Sequence, residues 1–398
     1  MLYCVLYNFS MKITKIETLT LHRSQTIHAG AISWLWVRIH TDEGLIGLGE
    51  TYPAAEAAET IICNSLAPIL LGRDPREIER LWSDMFLAVS YHAWAGSEMR
   101  AISAIDIALW DLLGKITNQP IYQLLGGKSR EQIRTYNTCY DHVYDFNSDA
   151  GKLAQDLSAS GIKAMKIWQF DQIALTNRGE FITNSELEKC LLPIKQIRDF
   201  VGDDMEIMLE FHGYWNLPSA VKIAKAVEPF NIAWLEEMLP QDNLQAYRRL
   251  KDETSIPLIL SERLMTRFQF REVIEQGIAQ IVNPDICWSG GLTEVKKIAT
   301  YADTHYIPIA PHNCGGPVLH FASMHLATNV TNLYILESVR RNYLKEYEGI
   351  VKNTGAAKDG WLQVNNSPGH GVELAEELLK NPALKINAIA LTNTVDTF

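Results

Sequence analysis

Eight short apolar runs, which begin at about Ile133, constrain the fold more than any other feature of the chain. Segments of helical length separate most of them, so buried strands alternate with helices. Successive βα units of this kind form a parallel sheet, and eight of them are typical of a closed barrel. The sequence therefore predicts an α/β fold with a C-terminal (β/α)8-type, TIM-like barrel. The runs are IRTYNTCY, AMKIW, EIMLEF, IAWLEE, PLILSE, IAQIVNPD, PIAPHN and NLYILE.

The first hundred residues have a different pattern. From Lys12 to His22 apolar and polar side chains alternate, as in a half-buried strand. Trp34 to His40 and Leu45 to Thr51 do the same on either side of a DEG turn, which predicts a β-hairpin. Helical patterns follow from Ala54 to Leu71 and from Arg100 to Leu113. These elements predict an N-terminal α+β domain.

The composition narrows the class of protein. Lys and Arg total 36 against 47 Asp and Glu, so the 398-residue chain has a formal net charge of −11. This charge argues against nucleic acid or an anionic membrane surface as the main partner. No apolar stretch reaches the roughly 18 residues that a membrane span needs. The six cysteines form no CxxC pair, which disfavours a zinc ribbon and a disulfide scaffold. We expect a cytoplasmic enzyme.

Three carboxylates close successive apolar runs at a spacing of about one βα unit: Glu210, Glu236 and Glu262. The ends of successive parallel strands lie on one rim of a barrel, where barrel enzymes place their chemistry. Carboxylates that converge there repel one another unless they share a cation. A hard divalent ion with oxygen ligands, Mg²⁺ or Mn²⁺, meets that need better than zinc. A single carboxylate after a strand is often a helix cap, but three in register predict a metal site.

The last three runs end in Asp285, His312 and Glu337. Adjacent strand ends would bring Asp285 to His312, where its carboxylate would hydrogen-bond one ring nitrogen and make the other more basic. We interpret the pair as a candidate general base, against the alternative of a structural histidine beside a capping aspartate. Glu337 has two open interpretations, a hydrogen bond to substrate or support of a neighbouring side chain.

Two further residues complete the candidate site. His212 comes two positions after Glu210, so strand alternation predicts that both face the same cavity. Lys166 ends the second run, where its ammonium group would either bind a substrate carboxylate or form a plain salt bridge.

Several stretches of the chain resemble the enolase superfamily, in particular its mandelate-racemase-like subgroup and the acid-sugar dehydratases similar to galactonate and mannonate dehydratases. The similarity covers nearly the whole chain from Met11. Each fragment is short, but their order and spacing together are specific. The fragments are AISAIDIALWDLLGK, LLGGKSREQIRTY, LEFHG, WLEE, SERL, NPDICWSGGLTE, APHNCGGP and ILES.

For the metal, the resemblance implies Mg²⁺ held by Glu210, Glu236 and Glu262. The first glutamate of WLEE is the family's ligand position, so Glu236 is assigned rather than Glu237. The chain departs from the family at Glu210, where aspartate is more usual, and the longer side chain would shift the metal or the carboxylate.

For the chemistry, the resemblance implies that His312 acts as a base with Asp285 as its partner, and that His212 acts as a general acid or base. Many relatives carry Lys-x-Lys on the second strand. This chain has KIW at that place, so only Lys166 remains.

These residues predict a Mg²⁺-dependent dehydratase, a hydro-lyase, that acts on an aldonic or aldaric acid. The α-proton of a carboxylate is very weakly acidic, and a metal would stabilise the enediolate that its removal forms. One histidine would take the α-proton and the other would protonate the departing β-hydroxyl, which gives a 2-keto-3-deoxy acid. A racemase or epimerase of a 2-hydroxy acid and a non-catalytic barrel that kept the metal site are the alternatives. A metal-dependent hydrolase is disfavoured because IRTYNTCYDH carries no His-x-His.

The resemblance also implies that the N-terminal domain caps the barrel and determines substrate specificity. We predict a tail at 1–10, a capping domain at 11–130, a barrel at 131–360 and a C-terminal segment at 361–398 that returns to the capping domain.

Two segments, 24–32 and 86–96, match the family's mobile capping loops. Four side chains in them are candidates for substrate contact or, alternatively, for an interface or for packing: His28, Tyr91, His92 and Trp94. Because the family forms dimers and octamers, we expect a homo-oligomer.

Overall fold

Two β-sheets organise the chain in the computed structural model. The structure describes residues 11–27, 30–141 and 143–391. The first sheet begins with three antiparallel strands: β1 (Ile13–Ile27), β2 (Gly30–Thr41) and β3 (Ile46–Thr51). The predicted hairpin is confirmed, since β2 pairs with β3 around a turn in which Gly44 has a φ of 80°, a conformation that favours glycine.

Five helices follow this hairpin: α1 (Ala55–Ile61), α2 (Ala67–Leu70), α3 (Ile78–Ser90), α4 (Ser97–Thr117) and α5 (Ile121–Leu124). A π-helical turn, Ile62–Leu66, joins the first two, and both predicted helical stretches are therefore confirmed. The long helix α4 lies against β3, where Gly49 permits the approach because a Cβ there would collide with the Ala104 carbonyl. Helix α3 was not predicted from the sequence. Residues 86–90 of the predicted capping loop 86–96 belong to this helix.

The second sheet is parallel and alternates with helices. Its first half contains β4 (Ile133–Thr138), α6 (Ala150–Ala159), β5 (Ala164–Ile167), α7 (Asp171–Asn177), α8 (Asn184–Val201), β6 (Glu206–Glu210) and α9 (Leu217–Val227). Its second half contains β7 (Ile232–Glu236), α10 (Leu244–Lys251), β8 (Leu258–Leu260), α11 (Thr266–Glu275), β9 (Ile281–Val282), α12 (Gly291–Thr304), α13 (Pro317–Asn329) and β10 (Leu336–Ser338). The sheet order is β10-β4-β5-β6-β7-β8-β9.

One of the eight predicted strands takes a different form. The run PIAPHN makes isolated parallel bridges through Ile309, to Val282 on one side and to Leu333 on the other. Two prolines, Pro308 and Pro311, lie on either side of this bridge, and a proline has no N–H to donate to a regular ladder. The segment still closes the ring between β9 and β10, so the predicted barrel fold is confirmed.

The barrel interior holds a layer of eight buried apolar side chains, one from each of the eight positions around the ring. They are Tyr136, Ala164, Met208, Trp234, Ile259, Ile281, Ala310 and Ile335. This packed layer is typical of TIM-like barrels, which are filled rather than hollow. It closes the barrel beneath the carboxyl ends of the strands, where the polar side chains collect.

The C-terminal segment contacts both parts of the molecule. It contains β11 (Trp361–Leu362), which pairs with β4, then α14 (Glu376–Leu379) and β12 (Lys385–Ala390), which pairs antiparallel with β1. No helix in the described ranges is long and apolar enough to span a membrane.

A buried carboxylate joins the capping sheet to the barrel. Glu50, near the end of β3, accepts hydrogen bonds from the backbone amides of Val318 (3.2 Å) and Leu319 (3.1 Å) at the start of α13. It also accepts one from Trp36 Nε1 at 2.8 Å. A carboxylate at a helix N-terminus satisfies amides that have no partner inside the helix. The first domain is therefore docked on the barrel by a specific polar contact.

Candidate active site

Three buried glutamates meet at the carboxyl ends of adjacent barrel strands. Glu210 and Glu236 end β6 and β7 and are directly paired in the parallel register, and Glu262 follows β8 by two residues. One carboxylate oxygen of each lies within 4.8 Å of the others. Burial raises the pKa of Glu236 well above its usual value, and the negative charge of Glu210 adds to the shift. The cluster therefore brings together oxygen ligands that a hard divalent cation would stabilise.

Lys166 supplies positive charge to this cluster. Its ammonium lies 3.0 Å from both carboxylate oxygens of Glu236, 3.0 Å from Glu337 Oε1 and 3.5 Å from Glu210 Oε2. Burial by itself would lower the pKa of Lys166, but Glu236 and Glu337 outweigh it, so this pKa lies well above its usual value. Of the two open interpretations, these contacts correspond to the salt bridge.

His312 and Asp285 form a buried pair, as the adjacent strand ends predict. His312 Nδ1 lies 2.7 Å from Asp285 Oδ2, and His312 Nε2 lies 3.2 Å from Glu262 Oε2. The hydroxyl of Tyr52, which follows β3 in the first domain, donates to Asp285 Oδ2 at 2.7 Å. Burial by itself would lower the pKa of His312, but the carboxylates of Glu262 and Glu337 raise it well above its usual value.

His212 also has an aspartate partner. Its Nδ1 lies 2.6 Å from Oδ2 of Asp171, the first residue of α7. Burial opposes protonation, but Glu210 and the hydrogen bond to Asp171 raise the pKa of His212 to about 9. The prediction that strand alternation positions His212 is wrong, because β6 ends at Glu210 and His212 lies in a turn with a φ of 49°. The turn, rather than strand alternation, sets the direction of its ring.

Glu337, on β10, has its carboxylate held by several donors. It accepts a short hydrogen bond from the Thr138 hydroxyl and one from the Asn313 amide at 2.8 Å. Burial by itself would raise the pKa of Glu337, but Lys166 and His312 lower it to about 2. The side chain is therefore an anion that supports its neighbours on the rim.

Glu237, which follows the metal-ligand candidate of β7, has its own partners outside the cluster of Glu210, Glu236 and Glu262. It is buried with a φ of 43°, accepts a short hydrogen bond from the Ser261 hydroxyl and lies 3.3 Å from Arg263 Nη1. Arg263 also donates to the His212 carbonyl at 2.7 Å. Arg263 thus ties the turn that carries His212 to the end of β8.

The capping-loop candidates are on the surface where the structure describes them. Tyr91 is 91% exposed and its ring lies 5.3 Å from that of His92, while Trp94 is 37% exposed. His28 lies outside the described residues. Their exposure is not that of side chains packed in a core, and the predictions of substrate contact and of an interface stay open.

Two residues of the site were missed by sequence reasoning: Tyr52 and Asp171. Tyr52 is separated from Asp285 by most of the chain, and its ETYP context carries no catalytic pattern. Asp171 occupies the first turn of α7, where an acidic residue is common for helix stability alone. Only Asp171 could have been anticipated from the sequence, because a second histidine at the rim needs a hydrogen-bond partner that orients its ring.

Comparison with known proteins identifies the family. Residues 16–126 match the mandelate racemase / muconate lactonizing enzyme N-terminal domain, and residues 149–378 match the enolase C-terminal domain-like family. D-Galactonate dehydratase of Cronobacter sakazakii is 34% identical over 378 residues, which cover 92% of this chain and 93% of that protein. D-Gluconate dehydratase of Thermoproteus tenax is 31% identical over 382 residues, 94% of this chain and 75% of that protein.

A solved structure gives the same result. The crystal structure of an enolase of the mandelate racemase subgroup from Agrobacterium tumefaciens, with a succinimide residue, is 42% identical and superposes with a TM-score of 0.87. The match covers 95% of this chain and 99% of that one. The resemblance found in the motifs is confirmed: the chain belongs to the mandelate racemase / muconate lactonizing enzyme family of the enolase superfamily.

Proposed function

We propose that the protein is a Mg²⁺-dependent dehydratase of a sugar acid, with aldonic acids as the substrate class. The relatives named D-galactonate dehydratase and D-gluconate dehydratase support this class. One observation carries the proposal: two histidine–aspartate pairs lie at the same barrel rim as three buried glutamates. A β-elimination needs one group to take a proton and another to give one.

Glu210, Glu236 and Glu262 would hold the metal. The fit rests on their chemistry, since three buried carboxylates with oxygens within 4.8 Å of one another repel until a cation is shared. A bound Mg²⁺ would supply Lewis-acid stabilisation of the charge that develops on the substrate carboxylate. Lys166 would add a fixed positive charge beside the same position.

With the negative charge of Glu262 offset by a shared cation, His312 would be neutral and would take the α-proton through Nε2. Asp285 holds Nδ1 at 2.7 Å, which fixes the ring and directs Nε2 toward the glutamate cluster. Tyr52 donates to the same Asp285 oxygen, so it is a positioning residue for the base. A fixed orientation matters here because the transfer of a weakly acidic proton requires close alignment of donor and acceptor.

His212 would protonate the departing β-hydroxyl. Asp171, at 2.6 Å from its Nδ1, favours the protonated form of the ring. Along the rim Glu236 and Glu262 lie between the strand end that carries His212 and the one that carries His312. A substrate bound at the glutamates would therefore meet one histidine on each side, and loss of water would give a 2-keto-3-deoxy acid.

The test is a keto-acid assay with Mg²⁺ over a library of aldonic and aldaric acids. The wild-type protein is expected to convert one or two aldonic acids, and His212→Asn and His312→Asn are each expected to lose product formation. Tyr306→Phe is the control, because Tyr306 is 97% exposed and precedes the seventh barrel segment, at the end opposite the rim. No product from any acid in the library would contradict the proposal.

An epimerase is the second candidate, and the same observation favours it. Two histidines on opposite sides of a bound acid can remove and return an α-proton without any leaving group. Incubation in D₂O separates the two reactions, since an epimerase incorporates deuterium at the α-carbon and forms no keto acid. Inverted, deuterated substrate without keto acid would replace the dehydratase by the epimerase.

A further inference from the structure

A second group of metal-ligand side chains lies next to the three glutamates. His312, Cys314 and Glu337 each place one ligand atom within 4.8 Å of those of the other two. The set combines an imidazole nitrogen, a sulfur and a carboxylate oxygen. Mg²⁺ prefers oxygen ligands alone, whereas Zn²⁺ and other thiophilic divalent ions bind mixed sets of this kind.

The histidine is already oriented as a metal ligand would be. Asp285 lies 2.7 Å from Nδ1 of His312, while Nε2 lies 3.2 Å from Glu262 Oε2 and 3.8 Å from Glu337 Oε2. Histidines that bind metals usually donate their other ring N–H to a carboxylate, which fixes the ring and raises its basicity as a ligand. This pair therefore supplies the outer contact of a metal site as well as one ligand.

The other two ligands are also held in place. Asn313 donates its backbone amide to Glu337 Oε2 at 2.8 Å, and the Asn342 side chain donates to the Cys314 carbonyl at 3.3 Å. Burial raises the pKa of Cys314 to about 12, so the free group is a thiol. When a metal binds, the Cys314 thiol proton and any proton on His312 Nε2 pass to solvent, and the thiolate and the Glu337 carboxylate together balance a divalent charge.

We propose that His312, Cys314 and Glu337 form a site for a thiophilic divalent cation, with Zn²⁺ as the best match, and that its occupation inhibits the enzyme. The inhibition rests on the proposed function, because Zn²⁺ would occupy the Nε2 lone pair with which His312 takes the α-proton. The binding itself does not rest on it. Since the three glutamates are separate ligands, excess Mg²⁺ would not displace the inhibitory ion.

Binding is tested with Cd²⁺, whose bond to a thiolate gives an ultraviolet charge-transfer band. The full-length protein is titrated in excess Mg²⁺, together with Cys314→Ser and the matched control Cys63→Ser, which removes a thiol of the first domain. The band and the accompanying proton release are expected in the wild-type protein and in Cys63→Ser, and absent from Cys314→Ser. An equal band in Cys314→Ser would overturn the site.

Inhibition is measured as the Zn²⁺ concentration that halves keto-acid formation at saturating Mg²⁺, relative to each variant's own rate without zinc. Cys314→Ser is expected to need about 100-fold more Zn²⁺, since loss of a ligand costs at least as much as loss of an outer contact. Equal sensitivity of both proteins would overturn the inhibitory role. Absence of keto acid from every substrate would overturn the dehydratase alone, because the Cd²⁺ band does not depend on turnover. A thermal melt of Cys314→Ser verifies that it is folded.

Discussion

The two histidines of the candidate site are held in different ways. His312 and Asp285 are both buried, and the hydroxyl of Tyr52, in the first domain, donates a hydrogen bond to the aspartate. The His212 side chain is 20% exposed, lies in a turn at the rim and has its own partner, Asp171, at 2.6 Å. One fold therefore orients two histidines by unrelated means, His312 through the docking of the first domain and His212 through a local turn.

The largest effect is expected from replacement of His312, the proposed base. His312→Asn should lower α-proton exchange in D₂O and keto-acid formation together by about 10³-fold or more, because both require the first proton transfer. His212→Asn should lose keto acid but retain exchange. Proton NMR of the substrate, with a keto-acid assay on the same samples, gives both rates. Exchange retained in His312→Asn and lost in His212→Asn would reverse the two roles.

A smaller effect is expected from replacement of Asp171, the partner of His212. Asp171→Asn should lower keto-acid formation by about 100-fold, since the ring of His212 loses the carboxylate that orients it and favours its protonated form. Exchange at the α-carbon should stay near the wild-type rate. Asp204→Asn is the control, because Asp204 is exposed at the opposite end of β6. Equal loss of exchange and elimination would show that Asp171 supports the fold rather than the acid.

The contact across the domains is expected to matter less. Tyr52→Phe should lower kcat by about tenfold with little change in KM, because the hydroxyl orients Asp285 and does not touch substrate. Steady-state kinetics against the wild-type protein and Tyr306→Phe measure the split. A raised KM at unchanged kcat would assign Tyr52 to substrate binding instead.

The last prediction concerns stability instead of activity and contrasts the site with a buried histidine outside it. Burial lowers the pKa of His320 to about 4, against about 6.5 in an unfolded chain. Between these two pKa values the unfolded state therefore binds a proton on this ring more readily than the folded state does. The contribution of neutral His320 to the free energy of unfolding is complete above about pH 6.5 and is lost as the pH falls toward 4. Between about pH 7.5 and pH 5 the loss is about 2 kcal/mol of the free energy of unfolding.

Urea unfolding at the two pH values measures this loss in the wild-type protein and in His320→Gln. The variant is expected to show a pH dependence weaker by about 2 kcal/mol, whatever its absolute stability. The same slope in both proteins would mean that His320 is not held neutral in the folded state.

Much of the barrel and half of the site could be predicted from the order of residues. Glu210, Glu236 and Glu262 each close an apolar run, and the parallel sheet converts that regular spacing into neighbours on one rim. Asp285 and His312 follow by the same reasoning and are indeed in contact. Strand ends are predictable because a barrel repeats one local unit, so distance along the chain translates directly into position around the ring.

The remainder of the site depends on contacts between elements that no local pattern connects. Tyr52 reaches Asp285 only because the first domain docks on the barrel, and Asp171 reaches His212 only because a turn rotates the histidine off the strand. The prolines of PIAPHN likewise reduced a predicted strand to single bridges without opening the ring.

Sequence alone determined the class of fold, the three clustered glutamates and the contact of His312 with Asp285, since each follows from periodicity and from the position of a residue at a strand end. Tertiary structure decided which side chains contact the two histidines, where Lys166 places its charge and that Cys314 lies close to both His312 and Glu337. The physical reason is that hydrophobic periodicity is a property of neighbouring residues. Contacts between side chains depend on how whole elements pack, and that packing is set by the complete core.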